Sequence, residues 1–176
     1  KMSSLLPGIT VYPQEKSRMS SLLSGITFQP LGMECRKPVE RFLQKYHQRI
    51  SGYTFASLMA WNEIYRYEWA IYCDDTLLLT SKCERDGMRH FLQPEGVFCP
   101  DCEALFLKEI ARADYPVKIC GVSEAFLNTH PDFVSHFNVM NERGLANYIY
   151  RTLDLAMLKG GTYVGKRNLI AQAQQS

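Results

Sequence analysis

The sequence predicts an α+β protein in which helices flank a mixed sheet. Short runs of alternating or branched residues indicate strands. Longer runs with apolar residues three or four positions apart indicate amphipathic helices. The two kinds of run are interspersed along the chain, which is the order expected of a layered α+β or α/β fold. A length of 176 residues suits one ordinary domain, with or without a tail.

The composition supports a globular chain. Hydrophobic residues make up 46% and charged residues 22%, which excludes the disordered, collagen-like and coiled-coil classes. The apolar runs, such as residues 55–61, are far shorter than the roughly 18 residues of a membrane helix. No segment resembles a signal peptide, and six irregularly spaced cysteines do not indicate a secreted disulfide framework. We therefore expect a cytoplasmic protein with reduced thiols and no transmembrane segment.

Each predicted element rests on a local pattern. Thr54 and Ser123 are suited to cap helices, Pro100 and Pro131 to open them, and Asp74-Asp75 to turn a hairpin. The predicted strands are 26–31, 67–73, 76–82, 90–93, 117–122, 139–140 and 145–150. The predicted helices are 34–48, 54–66, one from Pro100, one after Ser123, a turn after Pro131, 152–158, and a last one from about Tyr163.

An internal repeat stands at the start of the chain. Residues 1–10 (KMSSLLPGIT) recur as residues 18–27 (RMSSLLSGIT), with eight of ten positions identical. One pair of copies does not build a solenoid, which needs at least three units. We interpret residues 1–18 as a peripheral extension, either a local duplication or an addition upstream of a start at Met19.

Charge is distributed unevenly along the chain. Residues 51–142 carry seven Lys/Arg and fourteen Asp/Glu, whereas residues 1–50 carry eight and three, and residues 143–176 carry five and one. The simpler interpretation is solvated faces. The functional interpretation is that the basic ends face an anion, such as RNA, a lipid headgroup or a cofactor phosphate.

The final third resembles one family. The stretch 142–155 (ERGLANYIYRTLDL), followed by LKGGTY at 158–163 and KRN at 166–168, resembles the phosphatidylglycerol lysyltransferase C-terminal-like family of bacterial proteins. YTFASLMAW at 53–61 and YEW at 67–69 resemble that family's first helix and hairpin. The resemblance covers roughly residues 26–172 and implies a GNAT acyltransferase-like fold.

The resemblance also implies a domain plan and an activity. The family has two tandem GNAT-like domains joined by a basic helix. Residues 1–18 would be the extension, 19–158 the first GNAT-like domain and 159–176 the start of the linker. Because relatives move an amino acid from its transfer RNA to a lipid headgroup, the chain would be half of an aminoacyl or acyl transferase, inactive alone. Its partners would be the second domain or another copy of the chain, and transfer RNA.

Contact residues are predicted in the basic C-terminal region, while no catalytic residue can be assigned. Glycines followed by a helix start and two cations form a plausible anion site. The simpler interpretation of the glycines and cations is a helix break followed by a solvated basic turn. The simpler interpretation of the two tyrosines is core packing. The predicted substrate- or anion-binding residues are Tyr148, Tyr150, Arg151, Lys166, Arg167 and Asn168.

No cofactor site is evident in the sequence. The stretch from Gln93 to Phe98 departs from a GNAT pyrophosphate loop, because Phe98 replaces a small residue and Pro94 has no N–H to donate. Acyl-coenzyme A or aminoacyl-transfer RNA would be the donor of the full protein. The missing loop favours an alternative function, a non-catalytic GNAT-fold interaction module.

A Cys-x-x-Cys motif gives a third, weaker hypothesis. Cys99 and Cys102 precede and begin a predicted helix, where a thiolate is stabilised. They indicate a thiol-redox site, a zinc site completed by Cys73 and Cys83, or simply half-buried thiols. The four histidines at 47, 90, 130 and 136 have no partner at a suggestive spacing, so we expect surface or packing roles.

Overall fold

The computed structural model describes residues 5–6, 8–14, 26–46, 51–73, 75–82, 87–113, 115–142, 147–148 and 152–175. The chain divides into two compact units. One is formed by residues 7–145, and the other combines residues 1–6 with 146–176. The larger unit contains the main sheet.

The elements alternate between strands and helices along the chain. The strands are β1 (Leu5–Leu6), β2 (Ile9–Pro13), β3 (Gln29–Pro30), β4 (Glu68–Tyr72), β5 (Thr76–Lys82), β6 (Arg89–Leu92), β7 (Glu95–Gly96), β8 (Val117–Val122), β9 (Phe137–Asn141) and β10 (Asn147–Tyr148). The helices are α1 (Arg36–Lys45), α2 (Phe55–Tyr65), α3 (Pro100–Arg112), α4 (Glu124–Thr129), α5 (Pro131–Val134), α6 (Thr152–Met157) and α7 (Val164–Gln175).

The sheet of the larger unit is mixed. Its strands lie in the order β3-β4-β5-β6-β8-β2-β9, and β7 pairs with β5. Among the described strands, β6 and β8 pair in parallel and the other pairings are antiparallel. The chain passes from β6 to β8 through α3, as a parallel connection requires. The predicted class, a mixed sheet flanked by helices, is confirmed, and the architecture is consistent with a GNAT-like fold.

Two apolar layers pack on opposite faces of this sheet. Successive strand residues point to opposite faces, so Leu78 joins one layer while Leu77 and Leu79 join the other. The layer with Leu78 is formed with α3, α4 and α5, including Phe106. The opposite layer is formed with α1 and α2, including Val39. This double burial explains why β5 reads as a continuous apolar run.

Several elements coincide with their predicted positions. β5 and β8 have the predicted bounds, and Thr54 and Ser123 cap α2 and α4 by accepting hydrogen bonds from Ser57 N and Phe126 N. The strand predicted at 26–31 is reduced to the two residues of β3. Pro30, which has no N–H, ends this short edge pairing with β4.

The segment that was expected to be peripheral contributes a central strand. β2 lies between β8 and β9 in the sheet, and Ile9, Thr10 and Val11 are at most 5% exposed. Branched residues favour a buried strand. Ile9, Thr10 and Val11 are branched and form such a strand, although they lie near the start of the chain. Residues 9–13 therefore belong to the core of the larger unit, contrary to the expectation for residues 1–18.

The smaller unit is built from the start and the end of the chain. β1 pairs with β10, with Leu5 opposite Tyr148. α6 and α7 follow, and the residues of α7 are exposed. The strand predicted at 145–150 appears as β10, and its flanking residues lie outside the described ones. None of the helices in the described part of the chain is long and apolar enough to cross a membrane.

Candidate functional site

The parallel strands β6 and β8 separate at their carboxyl ends. They pair from Arg89 opposite Val117 to Leu92 opposite Cys120. Beyond Leu92 the chain turns to β5 through β7, while the end of β8 pairs with β2 at Ile9. Ligands of open α/β sheets bind outside the carboxyl ends of the parallel strands. This separation is therefore the first place to look for a site.

Buried polar side chains fill the separation. The Tyr53 hydroxyl accepts a hydrogen bond from the Gln93 N–H at 3.0 Å and donates one to the Gly121 carbonyl at 3.4 Å. Gln93 Oε1 accepts from Ser123 N at 2.9 Å and from Ser123 Oγ at 3.0 Å, and Gln93 Nε2 donates to Glu95 Oε1 at 3.4 Å. We call Tyr53, Gln93, Glu95 and Ser123 the strand-split cluster. Its members bridge the two diverging strands.

The strand-split cluster is a low-dielectric environment. Tyr53, Gln93 and Glu95 are at most 7% exposed. Burial, and secondarily the nearby Glu95 carboxylate, raises the pKa of the Tyr53 hydroxyl far above its ordinary value. Tyr53 therefore remains a neutral hydrogen-bonding group at physiological pH. In the structure this hydroxyl joins the backbones of Gln93 and Gly121.

The backbone around residues 93–98 is already engaged in intramolecular hydrogen bonds. Besides the Gln93 amide, the Val97 N–H donates to the Asp75 carbonyl at 2.8 Å and the Phe98 N–H donates to the Gly96 carbonyl at 3.2 Å. Gly96 has φ +123°, and a Cβ there would lie 2.0 Å from the Asp75 carbonyl oxygen. The glycine is thus required by the β5–β7 pairing. The Val97 and Phe98 amides therefore already have intramolecular acceptors.

The basic C-terminal residues lie at the start of α7. Arg167 Nη1 donates to the carbonyls of Leu158 and Gly160, the latter at 2.9 Å. Arg167 therefore covers carbonyl groups after the end of α6, a common use of arginine near a helix C-terminus. Lys166 and Asn168 are exposed beside it on α7.

The predicted contact residues are only partly covered by the structure. Lys166, Arg167 and Asn168 share one helical turn. Tyr148 lies in β10 of the same unit, and Tyr150 and Arg151 lie outside the described residues. Their joint role in anion binding stays a prediction.

His130 forms a contact that spacing along the chain did not suggest, whereas the contact between Cys99 and Cys102 agrees with their Cys-x-x-Cys spacing. His130 Nδ1 lies 2.5 Å from Glu103 Oε1, although 27 residues separate them. Cys99 Sγ and Cys102 Sγ are 3.0 Å apart. Among the residues that the structure describes, no group of three or more His, Cys, Asp or Glu side chains is arranged to hold a metal ion.

Sequence reasoning missed the strand-split cluster as a unit. Two of its members could have been found, because Gln93 and Ser123 directly follow the two strands that pair in parallel. Tyr53 gives no such signal, since it lies in a short helical turn before α2. Its contact with Gly121 spans 68 residues and depends on tertiary packing.

Comparison with known proteins connects this architecture to a family. Residues 43–176 match the family described as phosphatidylglycerol lysyltransferase, C-terminal. A conserved protein of unknown function from Bacteroides thetaiotaomicron VPI-5482, solved by crystallography, is 26% identical with a TM-score of 0.67. The similarity covers 84% of this chain and 49% of that one, so the chain spans about half of the solved protein. A search of curated proteins gave no match. The chain belongs to the phosphatidylglycerol lysyltransferase C-terminal family.

Proposed function

We propose that this chain is the first GNAT-like half of an aminoacyl or acyl transferase and needs a second half for activity. Membership of the phosphatidylglycerol lysyltransferase C-terminal family supports the transfer chemistry. The similar Bacteroides protein is about twice as long as the part that this chain matches, which supports a second half. In this proposal the chain shapes the acceptor pocket, and the basic segment from residue 159 contacts transfer RNA.

One observation supports placing donor binding and catalysis in the second half. The amides of Gln93, Val97 and Phe98 are occupied by Tyr53, Asp75 and Gly96. A donor pyrophosphate is normally held by converging amides at a helix start. With those amides engaged, the donor binds outside this loop. Catalytic groups for the transfer would then be supplied by the other half.

Donor binding can be tested directly on this chain. We expect isothermal titration of the 176-residue chain with coenzyme A to give no heat of binding, whereas the two-domain protein binds its donor. A Tyr53→Phe variant, which lacks the hydroxyl that joins β6 and β8, tests whether the strand-split cluster takes part in any binding that is observed. If the chain alone binds coenzyme A and the variant weakens that binding, the split is a donor site and the proposal is wrong.

Binding of transfer RNA can be tested by salt dependence. We expect the two-domain protein to lose affinity for transfer RNA on combined Lys159→Ala and Lys166→Ala substitution. The slope of log K against log salt concentration should shrink by about 0.7–0.9 for each phosphate that a lysine no longer neutralises. The matched control is Lys37→Ala with Lys108→Ala, which removes two lysines of the larger unit. Equal effects of the two pairs would contradict a role for the basic segment.

A second candidate function is a non-catalytic interaction module. The exposed apolar side chains on α2 favour it, because Trp61 is 52% and Ile64 69% exposed. The partner would be the second domain or another copy of the chain. Sedimentation equilibrium gives the oligomeric state, and a transfer assay with the second half gives the activity. A monomeric chain that is active only with the second half supports the transferase. A stable dimer that remains inactive with that half supports the module.

A further inference from the structure

Three cysteines come together at the start of α3, and the proposed transferase uses none of them. Cys99 is the N-cap residue of α3 and Cys102 lies in its first turn, with the two sulfur atoms 3.0 Å apart. Cys73, directly after β4, is in hydrogen-bonding contact with the Cys102 side chain. None of these three cysteines is in a disulfide bond. The Cys102 sulfur therefore has a thiol neighbour on each of two segments.

The three thiols differ in accessibility. Cys102 is 3% exposed, Cys99 is half-buried and Cys73 is exposed. A reagent in solution therefore reaches Cys99 before Cys102. Closing the present separation to a disulfide bond length of about 2.05 Å needs a movement of about 1 Å. The four-residue Cys-x-x-Cys spacing permits such a closure without reordering the sheet.

The neighbouring groups favour the thiolate form of Cys99, the more accessible of the two sulfurs, over that of Cys102. The Cys102 side chain, followed by the backbone N–H groups of the first helical turn, lowers the pKa of the Cys99 thiol. Burial first, and then Cys73 and Cys99, raises the pKa of Cys102 to about 12. Since the thiolate is the nucleophile, Cys99 is the thiol that attacks and Cys102 is the one that keeps its proton.

We propose that Cys99 and Cys102 form a thiol–disulfide exchange site whose oxidant is a low-molecular-weight disulfide. The Cys99 thiolate attacks one sulfur of the oxidant, whose S–S bond breaks. One thiolate leaves and takes up the proton lost by Cys99. Cys102 then loses its proton and attacks Cys99 Sγ, the mixed disulfide breaks, and the second thiolate leaves with that proton. Two protein thiols and one disulfide become one protein disulfide and two small thiols.

The chain is well suited to a direct test. Trypsin cleavage after Arg89 and Lys108 gives one peptide, residues 90–108, that contains Cys99 and Cys102 and no other cysteine. The full chain is equilibrated with reduced and oxidised glutathione at a series of ratios, quenched with an alkylating reagent and mapped by mass spectrometry. We expect both alkylation sites of this peptide to disappear together as the buffer becomes oxidising. The peptide mass should then be that of the reduced peptide less two hydrogen atoms.

Variants separate the two roles. With Cys102→Ser, we expect a stable glutathione adduct on Cys99, because no thiol in the pair resolves it. Cys73→Ser is the matched control and should keep the disulfide of the parent chain. Persistent alkylation of both cysteines in oxidising buffer would overturn the proposal. A cross-link between peptides 67–82 and 90–108, or a Cys102→Ser variant without an adduct, would overturn the assignment of Cys99 as the attacking thiol.

Discussion

Tyr53 holds two diverging strands together with a single hydroxyl group. The oxygen satisfies the Gln93 N–H and the Gly121 carbonyl, at a position where β6 and β8 have ceased to bond to each other. A buried backbone group that loses its partner costs the full desolvation penalty. This one side chain therefore replaces the backbone hydrogen bonds that the two strands no longer make to each other, alongside the bonds from Ser123 to Gln93.

We expect Tyr53→Phe to lower the free energy of unfolding by about 1–3 kcal/mol, because two buried backbone groups lose their partner. Urea denaturation monitored by circular dichroism measures the change. Tyr65→Phe is the control, since Tyr65 is 43% exposed. The control should change stability by no more than about 0.5 kcal/mol. Equal stability of the two variants would show that the Tyr53 hydroxyl is not needed.

Gly96 is required by the backbone, and its substitution has a definite cost. Its φ of +123° is unfavourable for other residues, and a Cβ would lie 2.0 Å from the Asp75 carbonyl oxygen. We expect Gly96→Ala to destabilise the chain by at least about 1–3 kcal/mol. Gly161→Ala is the control, because a Cβ there meets nothing within 4 Å. Thermal unfolding of the two variants gives the comparison.

At the scale of elements, Ser123 connects helix α4 to the strand-split cluster. Its Oγ accepts from Phe126 N at 3.1 Å as the helix cap and donates to Gln93 Oε1 at 3.0 Å. Thr54 caps α2 by accepting from Ser57 N at 3.2 Å. The two caps were predicted in the same way, and the structure shows that Ser123 also bonds to the cluster.

We expect Ser123→Ala to destabilise more than Thr54→Ala. Loss of a cap costs about 1 kcal/mol, and Ser123→Ala additionally removes one of the two hydrogen bonds to Gln93 Oε1, a cost of about 0.5–1.5 kcal/mol. Chemical denaturation of both variants tests the difference. A smaller effect at Ser123 than at Thr54 would mean that the bond between Oγ and Gln93 contributes nothing.

Local signals explain why most elements could be predicted from the sequence. Apolar periodicity, caps and turn residues placed β5, β8 and the helices α2, α3 and α4, because those signals act within a few residues. β7 was missed because it has only two residues, one of which is a glycine in an unusual conformation. The strand-split cluster was missed because Tyr53 and Gly121 meet only when the whole sheet forms.

At the scale of the whole molecule, the sheet of the larger unit depends on β2. Val11 is 1% exposed and lies opposite Ile119 of β8 and Val139 of β9. Without β2, the facing edges of β8 and β9 would expose unpaired backbone groups, which promote aggregation. The near-terminal position of β2 in the chain conceals its central position in the fold.

We expect Val11→Asp to destabilise the chain by on the order of 4 kcal/mol, because a buried carboxylate must be desolvated or protonated. Such a loss is a large fraction of the stability of a typical domain. Met140→Asp, at a position 54% exposed on β9, should cost no more than about 1 kcal/mol. Size-exclusion chromatography and urea denaturation report both outcomes. A Val11→Asp chain as stable as the Met140→Asp chain would contradict a central β2.

The central position of β2 also sets an order of events during synthesis. Tyr12 bonds to Glu142, 130 residues later, at 2.8 Å. At about 5–20 residues per second, β2 waits on the order of ten seconds for its partners. The second copy of the repeat, also with Ile-Thr, leads instead into β3, which pairs with β4. After Ile-Thr it carries Phe28 and Gln29 where the first copy carries Val11 and Tyr12. The burial of Val11 and the Tyr12–Glu142 bond thus belong to the earlier copy, which is the one that forms β2.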